Sequence, residues 1–489
     1  MLVGFVIAYL LLSIGVGLYA ATRVKNTSDY VAAGRHLPLY IVTATVFATW
    51  FGSETVLGIS ATFLDEGLRG LWSDPFGASL CLILVGLFFA RPLYRLNLLT
   101  LGDYYRLRYG RTVEVLCSSA IVISYLGWVA AQITALGLVF NILSDGSIPN
   151  EAGMLIGAGI VLVYTLFGGM WSVALTDFMQ MTIIIVGLFY IAWLVGDMAG
   201  GVGTVVAHAN EAGKLNFLPA FDAKDMIAFL AGILTMGFGS IPQQDVFQRL
   251  NSARDEKTAV RGTLLGGSGY FVFAFVPLFI AYSATLIDPA LVAQYQESDS
   301  QQVLPQLILQ HTPIFAQVMF FGALLSAIMS TASGTLLAPS VTFSENILRG
   351  TFPRMSDHKF LWLTRGVVVV FALLITWYAT HTSESIHGMV ENAYKVTLAT
   401  AFVPLAFGLY WKRATTQGAL ASIFIGLVTW VLLEIVAPEA DVPPHFAGML
   451  AGIVAMLAGS LLPQTLVKPT HGHVAEHLHI AHQHPHSGR

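Results

Sequence analysis

The stretch ATWFGSETVLG, residues 48–58, sets Gly52, Ser53, Glu54 and Thr55 in the middle of an apolar segment running from about Leu37 to Phe63. A carboxylate at the centre of a membrane helix costs roughly 3 kcal/mol on insertion scales, so Glu54 must be used. It orients a solute or an unwound backbone, or it is held by internal hydrogen bonds. A second polar interruption, GFGSIPQQD (237–245), sets Gln243, Gln244 and Asp245 behind Pro242 in another apolar segment. Glycine relaxes the chain and proline removes a backbone donor, so both stretches predict helices broken near mid-membrane. There, freed carbonyls can hold a cation and a half-helix N-terminus can face an anion. The alternative, that Gly52, Gly237 and Gly239 only allow close helix packing, leaves the Pro-Gln-Gln-Asp run unexplained. Asp177 and Gln180, three apart, share one helical face, and Asp177 also suits a helix start. Glu391 and Lys395 stand at i, i+4 with the acid first, the better order for an internal pair; otherwise Lys395 meets solute or closes an outer gate.

The elements that must position these residues follow from composition. The 489 residues are 55% hydrophobic and only 11% charged, with a mean hydropathy of +0.71, against about 25% charged in soluble domains. The pattern is that of an all-α polytopic membrane protein. Cys81 and Cys117 lie in apolar runs without CxxC spacing, which argues against a disulfide framework or a zinc site. Neither a GxxxxGK[ST] loop nor a strand–GxGxxG–helix pattern occurs, which argues against an ATP-driven pump and a dinucleotide enzyme; no enzyme is expected, and no nucleic-acid partner. Cut at its charged and Gly/Pro-rich interruptions, the chain yields thirteen transmembrane segments: 2–22, 38–64, 71–96, 112–143, 152–169, 171–197, 224–249, 258–287, 313–348, 360–380, 385–411, 416–437 and 444–464.

With the N-terminus outside, twenty of the 24 basic residues fall in inner connections or on the inner ends of the spans beside them, three fall outside and Lys395 lies deep within a span. That asymmetry predicts an external N-terminus and a cytoplasmic C-terminus. The first segment lacks a basic leader and its positive charges follow the apolar run, so it reads as a span rather than a cleaved signal. The two interruptions lie five spans apart, an odd number, so their helices cross in opposite senses. A five-plus-five inverted repeat with two broken helices fits. The tail 471–489 holds seven of the 14 histidines; it reads as a flexible polar tail, with transient metal binding as the alternative.

Five stretches resemble patterns of the sodium:solute symporter family, whose members share a leucine-transporter-like core: GGMWSVALTDFMQ (168–180), AIMSTASGTLLAPS (327–340), TLGDYYRLRYG (100–110), IPQQDVFQR (241–249) and YWKRATTQGA (410–419). The likeness covers roughly residues 20–430, and LFFARP (87–92) is similar to the choline-transporter branch. The resemblance implies sodium-coupled uptake. It also implies a sodium site where the first and eighth core helices cross, with carbonyls of Ala48, Phe51 and Ala327 and hydroxyls of Ser330 and Thr331. An alkali cation favours such weakly charged oxygens, although hydroxyls in a run like MSTAS also bond back to their own helix. By resemblance Asp177 lies on the inward sodium path. Trp50 and Trp128 resemble two walls of an aromatic cage, whereas Gln243 and Ala78 stand where that branch has other walls.

The expectation is therefore a sodium-driven symporter, bacterial and in the inner membrane, with Na+ and a small organic solute as partners and the bilayer as surroundings. The solute is an amino acid, a betaine-like compound or another small zwitterion or cation, contacted by Trp50, Glu54, Trp128, Gln243 and Gln244. The division is an N-terminal helix and loop (1–37), a ten-helix core (38–411), two further helices (412–464) and the tail (465–489). A transporter-like sensor is the alternative, and it needs a signalling domain that the stretch after Leu462 does not resemble.

Overall fold

The computed structural model describes residues 2–296, 298–352 and 355–464; the histidine-rich tail lies outside the described residues. Helices form where the apolar segments fall: α1 (Leu2–Ala21), α2 (Leu39–Trp50), α3 (Ile59–Glu66), α4 (Ala78–Leu84), α5 (Arg111–Leu143), α6 (Asn150–Met198), α7 (Ala223–Gly239), α8 (Gln244–Ser252), α9 (Glu256–Ile287), α10 (Ile314–Thr342), α11 (Asp357–His381), α12 (Ile386–Thr400), α13 (Phe402–Tyr410), α14 (Thr416–Val436) and α15 (Pro444–Leu461). Their starts follow local chemistry. Pro38, Pro149, Pro313 and Pro443 precede α2, α6, α10 and α15 in extended conformations, and proline's fixed φ suits a helix entry. Asp222, Asp255, Ser385 and Thr415 accept first-turn N–H groups at 2.9, 2.8, 3.0 and 3.1 Å, the usual service of such side chains.

Large apolar side chains face outward: Phe5, Leu11, Trp193, Val272, Leu373 and Ile435 are all exposed, Trp193 by 69%. Soluble monomers rarely expose so much apolar surface; a bilayer covers it. The chain is an integral membrane protein. Among the described residues nine helices are long and apolar enough to cross a membrane, or eleven when each bent pair counts as one span. Two of these stretches exceed a single crossing. The 49 residues of α6 would extend ~74 Å at 1.5 Å each, against a hydrocarbon core of about 30 Å. Its path breaks at Gly169, whose φ of 49° and ψ of −137° are non-helical. The 42-residue stretch Glu54–Arg95 turns at Gly67, with φ 68°.

Both predicted breaks are present. α2 stops at Trp50, Phe51 leaves helical geometry at ψ 75°, and a wide π-type turn over Glu54–Gly58 leads into α3. α7 and α8 meet at 50° across residues 240–243. A third bend, 47° between α12 and α13, falls inside segment 385–411, expected as one straight span. Pro404 supplies the reason: its ring cannot sit against the carbonyl of Thr400, four residues earlier. One isolated bridge joins Leu37 to Ala253, with Leu37 N–H donating to Ser252 O and Arg254 N–H to Leu37 O, both at 3.0 Å. α2 therefore starts where α8 ends.

Candidate functional site: two broken helices and a hydroxyl-rich crossing

The five residues of the expected sodium site lie on two elements that touch. Ala48 and Phe51 end α2, while Ala327, Ser330 and Thr331 occupy one face of α10, and all five are fully buried. Ser330 Oγ donates to Ala48 O, and Thr331 Oγ1 donates to Thr49 O at 2.8 Å and to Ala48 O at 3.3 Å. The hydroxyls thus reach across to the broken helix rather than only back along their own. Back-bonding falls instead to Ser333 and Thr335, which donate to Ser330 O at 3.0 Å and Thr331 O at 2.7 Å. Gly52 is what lets the helices close: a Cβ there would meet Thr331 Oγ1 at 2.6 Å and its Cβ at 2.9 Å.

Glu54 is anchored from α5. Its Oε1 accepts from Trp128 Nε1 at 3.0 Å and its Oε2 from Gln132 Nε2 at 2.7 Å. Gln132 Oε1 in turn takes Ser53 N–H at 3.0 Å, so one amide holds both the acid and the unwound backbone. Trp50 and Trp128 stand edge to face at 5.8 Å. Tyr394 of α12 stacks on Trp50 at 6.2 Å and meets Trp128 at 5.6 Å, Tyr270 of α9 meets Trp50 at 6.5 Å, and Tyr125 stacks on Trp128 at 5.9 Å. Tyr270 OH also donates to Asp74 and lies 3.2 Å from Thr55 Oγ1. Two buried carboxylates, Glu54 and Asp74, therefore flank five rings.

The remaining expected residues divide. Gln243 lines this region from the second break, with its Nε2 3.1 Å from Ser124 Oγ and 3.4 Å from Thr397 Oγ1. Gln244 turns elsewhere: its Oε1 accepts Leu101 N–H at 2.8 Å, at the start of the short helix Leu101–Tyr109. Glu391 and Lys395 pair loosely at 3.7 Å, each part-exposed, and the Lys395 hydrogen bond goes to Asn392 Oδ1 at 3.0 Å. Asp177 accepts a hydrogen bond from Thr45 of α2. It lies more than two turns past Gly169 and reaches another helix, so the helix-cap alternative fails. Gln180 is buried beside it, with neither amide atom partnered among the described residues.

Arg249, counted from sequence among the inner loop charges, is instead 1% exposed. Gln132, Tyr125, Tyr270, Tyr394 and Asp74 were not singled out either. Gln132 left a signal, since it follows Trp128 by four residues and is polar in an apolar run, so it shares that face.

Unwound helix ends that meet a hydroxyl-bearing helix inside a lipid-exposed bundle define a membrane transporter rather than an enzyme. Residues 30–426 match the model of the sodium:solute symporter family: the chain belongs to that family, and sodium is its ion. It is 28% identical over 442 residues to high affinity choline transporter 1 of Homo sapiens, covering 87% of this chain and 75% of that one. Identity is 27% to the sodium/proline symporter of Haemophilus influenzae (87% of each chain) and 25% to the high-affinity proline transporter PutP of Bacillus subtilis (92% and 95%). The fold is shared with a Na+-coupled sialic acid symporter solved substrate-bound and outward-open, at TM-score 0.82, 19% identity and 94% and 97% coverage. It is shared more loosely with the nucleobase-cation-symport transporter Mhp1, at TM-score 0.58, 16% identity and 90% and 98% coverage.

Proposed function

We propose that the protein takes up a small solute bearing a positively charged nitrogen, coupled to sodium, by alternating access around the two breaks. The observation that carries this reading is the cluster of Trp50, Trp128, Tyr125, Tyr270 and Tyr394 flanked by Glu54 and Asp74. Ring faces attract a desolvated cation by about 0.5–2 kcal/mol each, and a buried acid adds charge complementarity. The relatives named for choline and for proline both carry such a nitrogen in their solutes. Gln243 adds hydrogen-bonding capacity that favours a solute with a carboxylate or hydroxyl, such as an amino acid or a betaine.

Sodium would sit on Ala48, Phe51, Ala327, Ser330 and Thr331, above Asp177 on its way inward. The start of α2 and the end of α8 at one bridge supports opposite senses for the two breaks, which fits a five-plus-five core over 38–411; thirteen spans follow if the two over-long stretches, Glu54–Arg95 and Asn150–Met198, each cross twice. The Lys/Arg distribution supports an external N-terminus and a cytoplasmic C-terminus; a bacterial inner membrane is part of the same reading. One sodium ion crossing 100 mV gains about 2.3 kcal/mol, and a tenfold gradient adds about 1.4, enough for several-hundredfold accumulation of an uncharged solute at one-to-one coupling.

The test is counterflow in proteoliposomes with choline, glycine betaine and proline, each with and without sodium. Sodium-dependent exchange of at least one supports the reading, and exchange of none overturns the solute class. With the responding solute, Trp50→Leu weakens affinity by about tenfold (~1.4 kcal/mol) and Trp50→Phe by less; equal affinities in all three proteins reject the cation–π role. Asp177→Asn slows sodium-coupled turnover while solute binding in detergent stays near normal. Loss of binding as large as the loss of turnover would remove Asp177 from the release path.

A further inference from the structure

A chain of buried polar groups continues from the hydroxyl crossing toward the bridge side of the molecule. Arg249 Nε donates to Thr49 Oγ1 at 2.8 Å, and that hydroxyl donates to Thr45 O at 2.7 Å. Thr45 Oγ1 donates to Asp177. On its other side Arg249 Nη1 donates to Asp245 O at 3.1 Å, and Asp245 is bonded by Tyr125 OH. Thr49 therefore carries both contacts: its hydroxyl takes the guanidinium, and its carbonyl takes Thr331 at 2.8 Å. Arg249 Nη2 presses against Gly334, one turn beyond Thr331, in the space a side chain there would fill.

Arg249 Nη2, Asp177 Oδ1 and Asp245 Oδ2 are all buried, and none has a hydrogen-bond partner among the described residues. Buried charged groups rarely stay unpaired in every state of a protein. One donor and two acceptors left over in a single network leave the guanidinium of Arg249 a second place to sit.

We propose that Arg249 is a positioning residue for sodium release: a tethered cation that closes the inner side of the crossing while seated on Thr49, and that swings to the free oxygen of Asp245 on its own half-helix when sodium passes inward to Asp177. The fixed positive charge repels sodium from the exit until the half-helix α8 withdraws it. The role rests on the sodium site and orientation proposed above. It also gives Gly334 a function, because an alanine there would push the guanidinium off its seat without changing any charge.

The test loads proteoliposomes with 22Na+ and follows its efflux with no solute added. Arg249→Gln speeds efflux by about fivefold or more, whereas Arg249→Lys, which keeps the charge, stays within about twofold of the unaltered protein. Gly334→Ala leaks like Arg249→Gln, and it carries the test alone if Arg249→Gln does not fold. Folded Arg249→Gln or Gly334→Ala with efflux within about twofold of the unaltered protein overturns the proposal, as does equal leakage of the Gln and Lys variants, which marks a structural strut. Unaltered protein that binds no 22Na+ would instead overturn the sodium site itself, a separate failure.

Discussion

Replacing Ser330 by alanine together with Thr331 by valine raises the sodium concentration for half-maximal binding by about tenfold or more, at least ~1.4 kcal/mol. The double change removes two of the five proposed sodium oxygens and leaves the others in place. It also takes the donors from Ala48 O and Thr49 O, and a buried carbonyl left unpaired costs about 1–3 kcal/mol. Some loss of thermal stability is therefore expected whether or not sodium binds there. The deciding measurement is the increment in melting temperature with added sodium, in purified protein, against the same titration with potassium. Thr335→Val is the control. Its hydroxyl lies one turn along α10 but bonds only within its own helix, so its loss lowers stability and leaves the sodium titration unmoved. A folded double variant with the original sodium dependence would sink the site.

The breaks were legible because a bilayer makes polar residues and helix breakers expensive, so Glu54 and Pro242 stand out in any apolar run. The same logic made Ser330 and Thr331 ambiguous, since hydroxyls satisfy themselves on their own helix. Only the approach of α2 and α10, made possible by Gly52, turns them outward. The bend at Ala401 had its signal in Pro404, masked because a proline inside a membrane helix is common. Tyr125, Tyr270 and Tyr394 carried no signal, because their meeting with Trp50 and Trp128 joins helices far apart in sequence. Arg249 was misplaced for a different reason. A basic residue at the end of an apolar segment reads as solvated, and nothing local announces that Thr49, Asp245 and the missing side chain of Gly334 make room for it inside.

Glu54→Gln is expected to weaken binding of the solute that responds in counterflow by about a hundredfold, ~2.7 kcal/mol, with sodium binding little changed. Both oxygens of Glu54 are held by Trp128 and Gln132, so a purely structural reading is available: an acceptor that fixes the unwound turn. The two readings part on charge. Trp128 and Gln132 are neutral donors, and no cation pairs with Glu54 among the described residues, so an ionised carboxylate there, costly to bury alone, needs a positive partner from the solute. An ammonium group resting against Trp50 and Tyr394 would be that missing partner. Glutamine keeps the size and one acceptor but sets an NH2 group against the N–H of Trp128 or of Gln132, a loss of about 1–2 kcal/mol in stability. Glu54→Ala strands both donors and costs more, about 2–6 kcal/mol. If Glu54 only braces the turn, stability falls in that order while Glu54→Gln binds the solute as the unaltered protein does. If its charge recognises the solute, Glu54→Gln loses binding well beyond its loss of stability. Gln132→Ala separates the terms further: it frees Ser53 N–H and one oxygen of Glu54 yet keeps the charge, so it should lower the melting temperature while retaining most of the solute affinity.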